Sequence, residues 1–145
     1  RDKKNGFRPV LSLKTAVSFA RNAPAGSCVG YGMKYTTSRD TRIVVLPVGY
    51  GDGFPRTLSH KGGVLIRGKR FPLAGSVCMD QSMADTGGED VREGEEVVVI
   101  GRQGAAEISA REIADTIGTI ENDVVTGIST RVRRVFLRNG KEQPQ

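Results

Sequence analysis

Two tyrosines in this sequence stand between glycines: Val29-Gly30-Tyr31-Gly32, and later Val48-Gly49-Tyr50-Gly51-Asp52-Gly53. A tyrosine flanked in this way has a backbone clear of neighbouring side chains, so a ligand or a second chain can approach it closely. The alternative at either position is a tyrosine at a β-turn, and the repetition does not by itself name a reaction. A phenol has a reference pKa near 10 and can both donate and accept a hydrogen bond. It works as a base near neutral pH only where cations or hydrogen bonds favour the phenolate, and no pairing adjacent in the sequence supplies them. Asp52, set between Gly51 and Gly53, reads as a turn former that bonds its own backbone.

Other chemistry is poorly represented. Cys28 and Cys78 form no CxxC pair, and with His60 as the single histidine no zinc-ligand spacing exists, so no metal site is expected. Cys78 reads as a buried small hydrophobe. The net charge of +6 and pI of about 9.7 admit nucleic acid, an anionic cofactor or an acidic partner surface. The basic residues are scattered apart from Arg131-Val132-Arg133-Arg134, and aromatics make up only 6%, so no base-stacking stripe is present. Nucleic acid is therefore the minor alternative. The longest apolar run, Ile43 to Val48, is too short to cross a bilayer. Arg1-Asp2-Lys3-Lys4-Asn5 precedes no apolar stretch, which places the chain in the cytoplasm as an expectation.

The elements that must position the tyrosines are mostly strands, because 19 glycines interrupt short β-rich runs. Pro9 to Ala20 reads as one long or two successive strands, followed by a turn at Pro24-Ala25-Gly26. Arg42 to Pro47 reads as a strand buried on both faces. Val64 to Arg67 and Arg70 to Leu73 flank Gly68-Lys69 as a hairpin. Glu96 to Ile100 is a further strand, ended by Gly101. Ser109 to Glu112 has the pattern of a capping box, with Ile108, Ile113 and Ile117 as the apolar side and Gly118 as the stop. A second helical turn starts near Thr119, and Thr130 to Leu137 returns to strand before Asn139-Gly140. The fold class is mainly β, a Greek-key-like β-barrel with one or two short helices near the C-terminal end, and residues 1–145 form a single domain.

Beyond composition, the order of motifs is informative. Phe7-Arg8-Pro9-Val10-Leu11-Ser12-Leu13-Lys14-Thr15, Pro24-Ala25-Gly26 and Val29-Gly30-Tyr31-Gly32 come first. Then follow Pro47-Val48-Gly49-Tyr50-Gly51-Asp52-Gly53-Phe54-Pro55-Arg56, Gly63 to Leu65, Pro72-Leu73-Ala74-Gly75 and Val77-Cys78-Met79-Asp80-Gln81, with Ile128-Ser129 and Arg131-Val132 last. In sequence and spacing this resembles the C-terminal domain of the alanine racemase family, over nearly the whole chain from Phe7 to Leu137.

That resemblance implies a domain that completes the active site of an amino acid racemase dependent on pyridoxal 5'-phosphate. The cofactor and its lysine belong to an N-terminal barrel that this chain does not contain. The partners implied are the barrel of its own chain and that of a second subunit in a head-to-tail homodimer, with a small amino acid as substrate and D-alanine for peptidoglycan as the product's use. Tyr31 falls where the family has its catalytic tyrosine, the base toward the L-substrate. Tyr50 falls where a second tyrosine narrows the passage and contacts substrate. Met79 falls where a backbone N–H meets the substrate carboxylate, with Asp80 holding the loop and Arg56 lining the access passage. Neither Lys34 nor Lys69 is nominated as the cofactor lysine. Two departures stand out: Asn122 where the family has a tyrosine reaching the cofactor phosphate, and Ser76 where it often has an arginine. Both are smaller residues, so a broader or serine-preferring racemase is the alternative substrate reading. From another class, a basic β-barrel that binds nucleic acid would show salt-dependent retention on nucleic acid.

Overall fold

A computed structural model describes residues 9–139 and 141–143. The basic run at residues 1–5, Phe7-Arg8 and Gly140 lie outside the described residues.

Strands β1 (Leu13–Ala16) and β2 (Phe19–Ala23) are successive, as the alternating pattern allowed, and the bend between them carries the architecture. At that bend the Val17 N–H donates to the Glu95 carbonyl (3.0 Å) and the Ser18 N–H to the Val45 carbonyl (2.9 Å), so the chain leaves one sheet and enters another. The first sheet also contains β6 (Gly63–Ile66), β7 (Lys69–Pro72) and β9 (Glu96–Gln103), in the order β1-β9-β6-β7, with β10 (Ala106–Ile108) paired to β9. The second is β2-β5-β8, with β5 Thr41–Leu46 and β8 Ser82–Asp85. Between β2 and β5 lies a small hairpin, β3 (Cys28–Val29) with β4 (Tyr35–Thr36). All these pairings are antiparallel. The hydrogen-bond ladders do not run unbroken around a closed barrel. Instead two sheets meet at two seams, the Val17-Ser18 bend and an isolated bridge between Leu73 and Ala84. A strand that bends from one sheet to the other makes such a corner without leaving backbone groups unpaired.

The core explains why the apolar runs are strands. Val64, Leu65, Ile66, Val97, Val98 and Val99 are fully enclosed, so β6 and β9 have no solvent face in these stretches. Helix α1 (Ala110–Ile117) adds Ile113 and Ala114 to this cluster, and α2 (Glu121–Thr126) adds Val124. Strand β5 divides its two faces between clusters. Val44 and Leu46 enter the main core, while Ile43 joins Ala23, Val29, Ala74 and Met83 in a second, smaller one. Arg42 and Val45 are only half-buried, so β5 is less enclosed than its sequence suggested. The second cluster backs the segment that carries Tyr31.

The local signals held in part. Ser109 caps α1, its Oγ accepting the Glu112 N–H at 3.1 Å, and Gly118 ends the helix at φ 78°. The Glu112 carboxylate does not close the box; it pairs with Arg70. The β6–β7 turn is Arg67-Gly68, one residue earlier than expected, because both residues adopt positive φ (52° and 72°) and Lys69 is used in the ladder opposite Ile66. Strand β9 passes through Gly101 to Gln103, so Gly101 does not end it. Residues 130–136 are not strand. The Arg134 guanidinium donates to the carbonyls of Ile128 (2.9 Å) and Val132 (2.8 Å), folding that segment on itself. Only β11 (Leu137–Arg138) pairs, with β12 (Lys141–Glu142). No helix among the described residues is long and apolar enough to cross a membrane.

One polar network fixes the β3–β4 hairpin to the second sheet. The Tyr35 hydroxyl donates to Asp85 Oδ2 at 2.6 Å, while Thr41 Oγ1 and the Gly87 N–H donate to Oδ1. Burial first, and then the bond to Asp85, pushes the Tyr35 phenol up to about 12. Burial alone would raise the Asp85 carboxyl, but the donations from Thr41, Tyr35 and Gly87 outweigh it and hold it below its ordinary range. The sign follows from linkage. The Tyr35 contribution is complete below the ordinary phenol pKa and is lost as pH rises through about 12. The Asp85 contribution is present above the ordinary carboxylate range and is lost as pH falls through the depressed value. Tyr35→Phe is expected to cost about 1–2 kcal/mol at neutral pH, the scale of a partly exposed hydrogen bond to a charged group. It should also flatten the loss of stability above pH ~10. Denaturant titrations at neutral and alkaline pH check this, and an unchanged alkaline decline would refute it.

Candidate active site

Tyr31 opens a 3-10 turn, Tyr31–Met33, whose flanking Gly30 and Gly32 both have left-handed backbone (φ 77° and 74°). A Cβ on Gly30 would lie 2.7 Å from Met83 Cε, so the glycine lets the turn sit directly on the second core cluster. The consequence is a raised loop with its tyrosine outward: Tyr31 is 77% exposed. Its hydroxyl makes no hydrogen bond among the described residues.

Tyr50 opens the corresponding turn, Tyr50–Asp52, which is built against a second loop. The Tyr50 N–H donates to the Cys78 carbonyl (2.9 Å) and the Gly51 N–H to the Met79 carbonyl (2.8 Å). A Cβ on Gly49 would stand 2.3 Å from the Cys78 carbonyl oxygen and 2.4 Å from that of Met79, so only glycine permits the approach. Asp52 closes its own turn, Oδ2 accepting the Gly49 N–H at 2.8 Å, as its place between glycines suggested. The Cys78 N–H donates to the Gln81 carbonyl (2.9 Å), rounding off the loop that presents Met79. Among the described residues nothing accepts a hydrogen bond from the Met79 N–H.

Tyr31, Tyr50, Arg56, Ser76, Cys78 and Met79 together line one depression of about 340 Å³. Three separate stretches of sequence, at residue 31, residues 50–56 and residues 76–79, are thus brought to one place. Arg56 is the one cation among these lining residues. Tyr50 (43%) and Met79 (53%) are also exposed, though less than Tyr31, which leaves an aromatic and thioether wall facing outward. Cys78 is half-buried and part of this wall, not a core residue. Asn122 is not brought in: it lies on α2, exposed, and does not line the depression. Ser76 does line it, though buried. Among the described residues no group of three or more His, Cys, Asp or Glu could hold a metal ion.

Sequence reasoning missed Arg131 as a part of this arrangement. Its Nε donates to Asp52 Oδ1 (2.8 Å) and its Nη2 to Asp80 Oδ1 (2.7 Å), joining the two loops. The available signal was one arginine, the first of a basic run, against one carboxylate in a glycine-rich turn and another in the Cys-Met-Asp run, and spacing alone does not pair them.

The depression has no lysine in its wall. Its donor set of an exposed phenol, an unpaired backbone N–H and an arginine fits one side of a site for an anionic amino acid, and not a covalent seat for an aldehyde cofactor.

Residues 10–136 match the family described as alanine racemase, C-terminal domain. The alanine racemase of Halothermothrix orenii is 49% identical over 131 residues, covering 90% of this chain and 35% of that protein. That of Carboxydothermus hydrogenoformans is 50% identical over 132 residues, covering 90% and 36%. Among solved structures, alanine racemase from Bacillus anthracis with bound L-Ala-P superposes with a TM-score of 0.91 at 40% identity, over 97% of this chain and 36% of that one. The chain therefore spans little more than a third of the relatives that it matches. On the strength of this match, and of a mainly β fold shared with those structures, the chain belongs to the alanine racemase C-terminal domain family.

Proposed function

We propose that this chain supplies one wall of the active site of a pyridoxal-phosphate-dependent alanine racemase, with Tyr31 as the base that serves the L-substrate. The observation that carries the reading is the convergence of Tyr31, Tyr50, Arg56 and Met79 on one outward-facing depression. The Tyr31 phenolate oxygen takes the α-proton from one face of the substrate and returns it in the reverse reaction. A base on the opposite face, from the barrel, completes racemisation. Tyr50 narrows the passage and contacts the substrate, and the Met79 N–H donates to the substrate carboxylate. Arg56 lies in the same wall. Pyridoxal phosphate, when bound, supplies the electron sink that makes the α-proton acidic, so the protein's task is placement and proton transfer.

On this reading the barrel of the same chain and that of a second subunit are the partners, in a head-to-tail homodimer working in the cytoplasm and making D-alanine for peptidoglycan. Asn122 is assigned to the cofactor phosphate by resemblance alone. It lies outside the depression, whereas Ser76, the other smaller residue, lines it.

The test separates wall from seat. This chain alone, mixed with pyridoxal phosphate and L-alanine, is expected to show no bound-cofactor absorbance and no D-alanine, whereas the full-length parent shows both. Turnover by the isolated chain would overturn the shared-site reading. An inactive parent that is retained on nucleic acid in a salt-dependent way would favour the binding-module alternative.

A further inference from the structure

We propose that Arg131 is a positioning residue for this site: its guanidinium clasps the loop carrying Tyr50 to the loop carrying Met79 and holds the two at one spacing. The inference rests on the racemase reading only for what the spacing does, and not for the clasp itself.

The geometry points to a device and not to a surface ion pair. One guanidinium bridges carboxylates on two separate loops, at 2.8 Å to Asp52 Oδ1 and 2.7 Å to Asp80 Oδ1. Its Nη2 also approaches the Met79 carbonyl at 3.4 Å, which belongs to the residue whose N–H has no acceptor. The other Asp52 oxygen holds the Gly49 N–H, so this carboxylate is committed on both sides. The Ser129 N–H donates to the Asp52 carbonyl at 3.0 Å, which seats the arginine's own segment against the Tyr50 turn. Room for the guanidinium comes from Gly51, where a Cβ would lie 2.6 Å from Arg131 Nη2. Glycine at 51 and arginine at 131 are therefore one joint requirement.

An isolated exposed ion pair holds little. A planar fork that meets two carboxylates in fixed directions is different, because lysine's point charge cannot reproduce both contacts at once. Asp52 is the sheltered end of the clasp (17% side-chain exposure) and Asp80 the open end (65%). Loss of the clasp frees the Met79 loop to move relative to Tyr50 while leaving Tyr31, on another element, in place. The expected signature is weakened substrate binding with proton transfer largely kept.

The experiment uses the full-length holoenzyme. Arg131→Gln should raise KM for L-alanine by about tenfold, a modest misplacement on the scale on which 1 Å can cost 10²-fold. It should leave kcat within about threefold and keep the cofactor absorbance. Hydrogen exchange supplies a readout independent of activity, since the Tyr50 and Gly51 amides bond the Cys78 and Met79 carbonyls across the clasp. In Arg131→Gln both should exchange about tenfold faster, while amides of β6 and β9 keep their protection. Arg131→Lys should restore part of each effect, and Asp80→Asn, which keeps the Asp52 contact, should give a smaller rise in both. Unchanged KM and unchanged exchange at Gly51 in Arg131→Gln would overturn the proposal, as would a uniform loss of stability at unaltered KM. Should Arg131→Gln fail to fold, Asp80→Asn decides alone, and its indifference in both readouts overturns the proposal. Absence of racemisation by the unsubstituted enzyme would sink the functional reading, while the exchange result would still decide the clasp.

Discussion

Tyr31→Phe in the full-length parent should reduce racemisation by about 10²-fold or more, the usual scale for removing a general base. The substitution is clean. The ring stays, the residue is 77% exposed, and its hydroxyl bonds nothing among the described residues, so no partner is stranded and stability should not change. On the proposed reading cofactor binding should persist, because the covalent seat lies outside this chain. The distinguishing measurement is exchange of the substrate α-proton in deuterated water. If Tyr31 serves one face, exchange starting from L-alanine should fall far more than exchange starting from D-alanine, because the barrel's base still works from its own side. Equal losses from both enantiomers would show that Tyr31 orients the substrate and does not take its proton. Retention of most activity would remove it from the mechanism altogether.

Gly49→Ala should have an effect of similar size by a different route. The added methyl has no space: it would stand 2.3 Å from the Cys78 carbonyl oxygen and 2.4 Å from that of Met79, both main-chain atoms. One loop must retreat, which breaks the bonds from the Tyr50 and Gly51 N–H groups to those same carbonyls. A displacement near 1 Å in such a wall costs about 10²-fold in kcat/KM. The accompanying loss of stability should be about 1–3 kcal/mol, as for other overpacked sites. Gly88→Ala is the control, since nothing lies within 4 Å of its added carbon. Near-wild-type kcat/KM in Gly49→Ala, with normal stability, would mean that the spacing between Tyr50 and Met79 is not what the site depends on. Loss of activity with intact hydrogen exchange at Gly51 would place the damage elsewhere.

Much of the fold was legible because it is written in local terms. The runs Val64-Leu65-Ile66 and Val97-Val98-Val99 are apolar at every position, and such runs become strands with both faces covered. Ser109 and Gly118 set the ends of α1, because capping depends on neighbours three or four residues away. The failures came where the deciding partner was distant. Residues 130–136 contain the β-branched and aromatic residues of a strand, but a strand needs a neighbouring edge. Here the Arg134 guanidinium takes the carbonyls of Ile128 and Val132 instead. Gly101 has the form of a stop signal, yet β9 continues through it because β10 offers a ladder on the far side. The passage of the chain from one sheet to the other depended on the bend at Val17-Ser18, which two carbonyls from different sheets decide.

The site divides in the same way. By itself the sequence determined which residues could act: two tyrosines freed by flanking glycines, an aspartate that closes its own turn, and an order of motifs that belongs to one family. Only the tertiary structure decided that Tyr31, Tyr50, Arg56 and Met79 share one depression, that Asn122 stays outside it, and that Arg131 ties its two loops together. The physical reason is range. Backbone preference and capping act over a few residues and can be read in order. Ion pairs and hydrogen bonds between loops 51 and 79 positions apart depend on where the sheets have carried each loop.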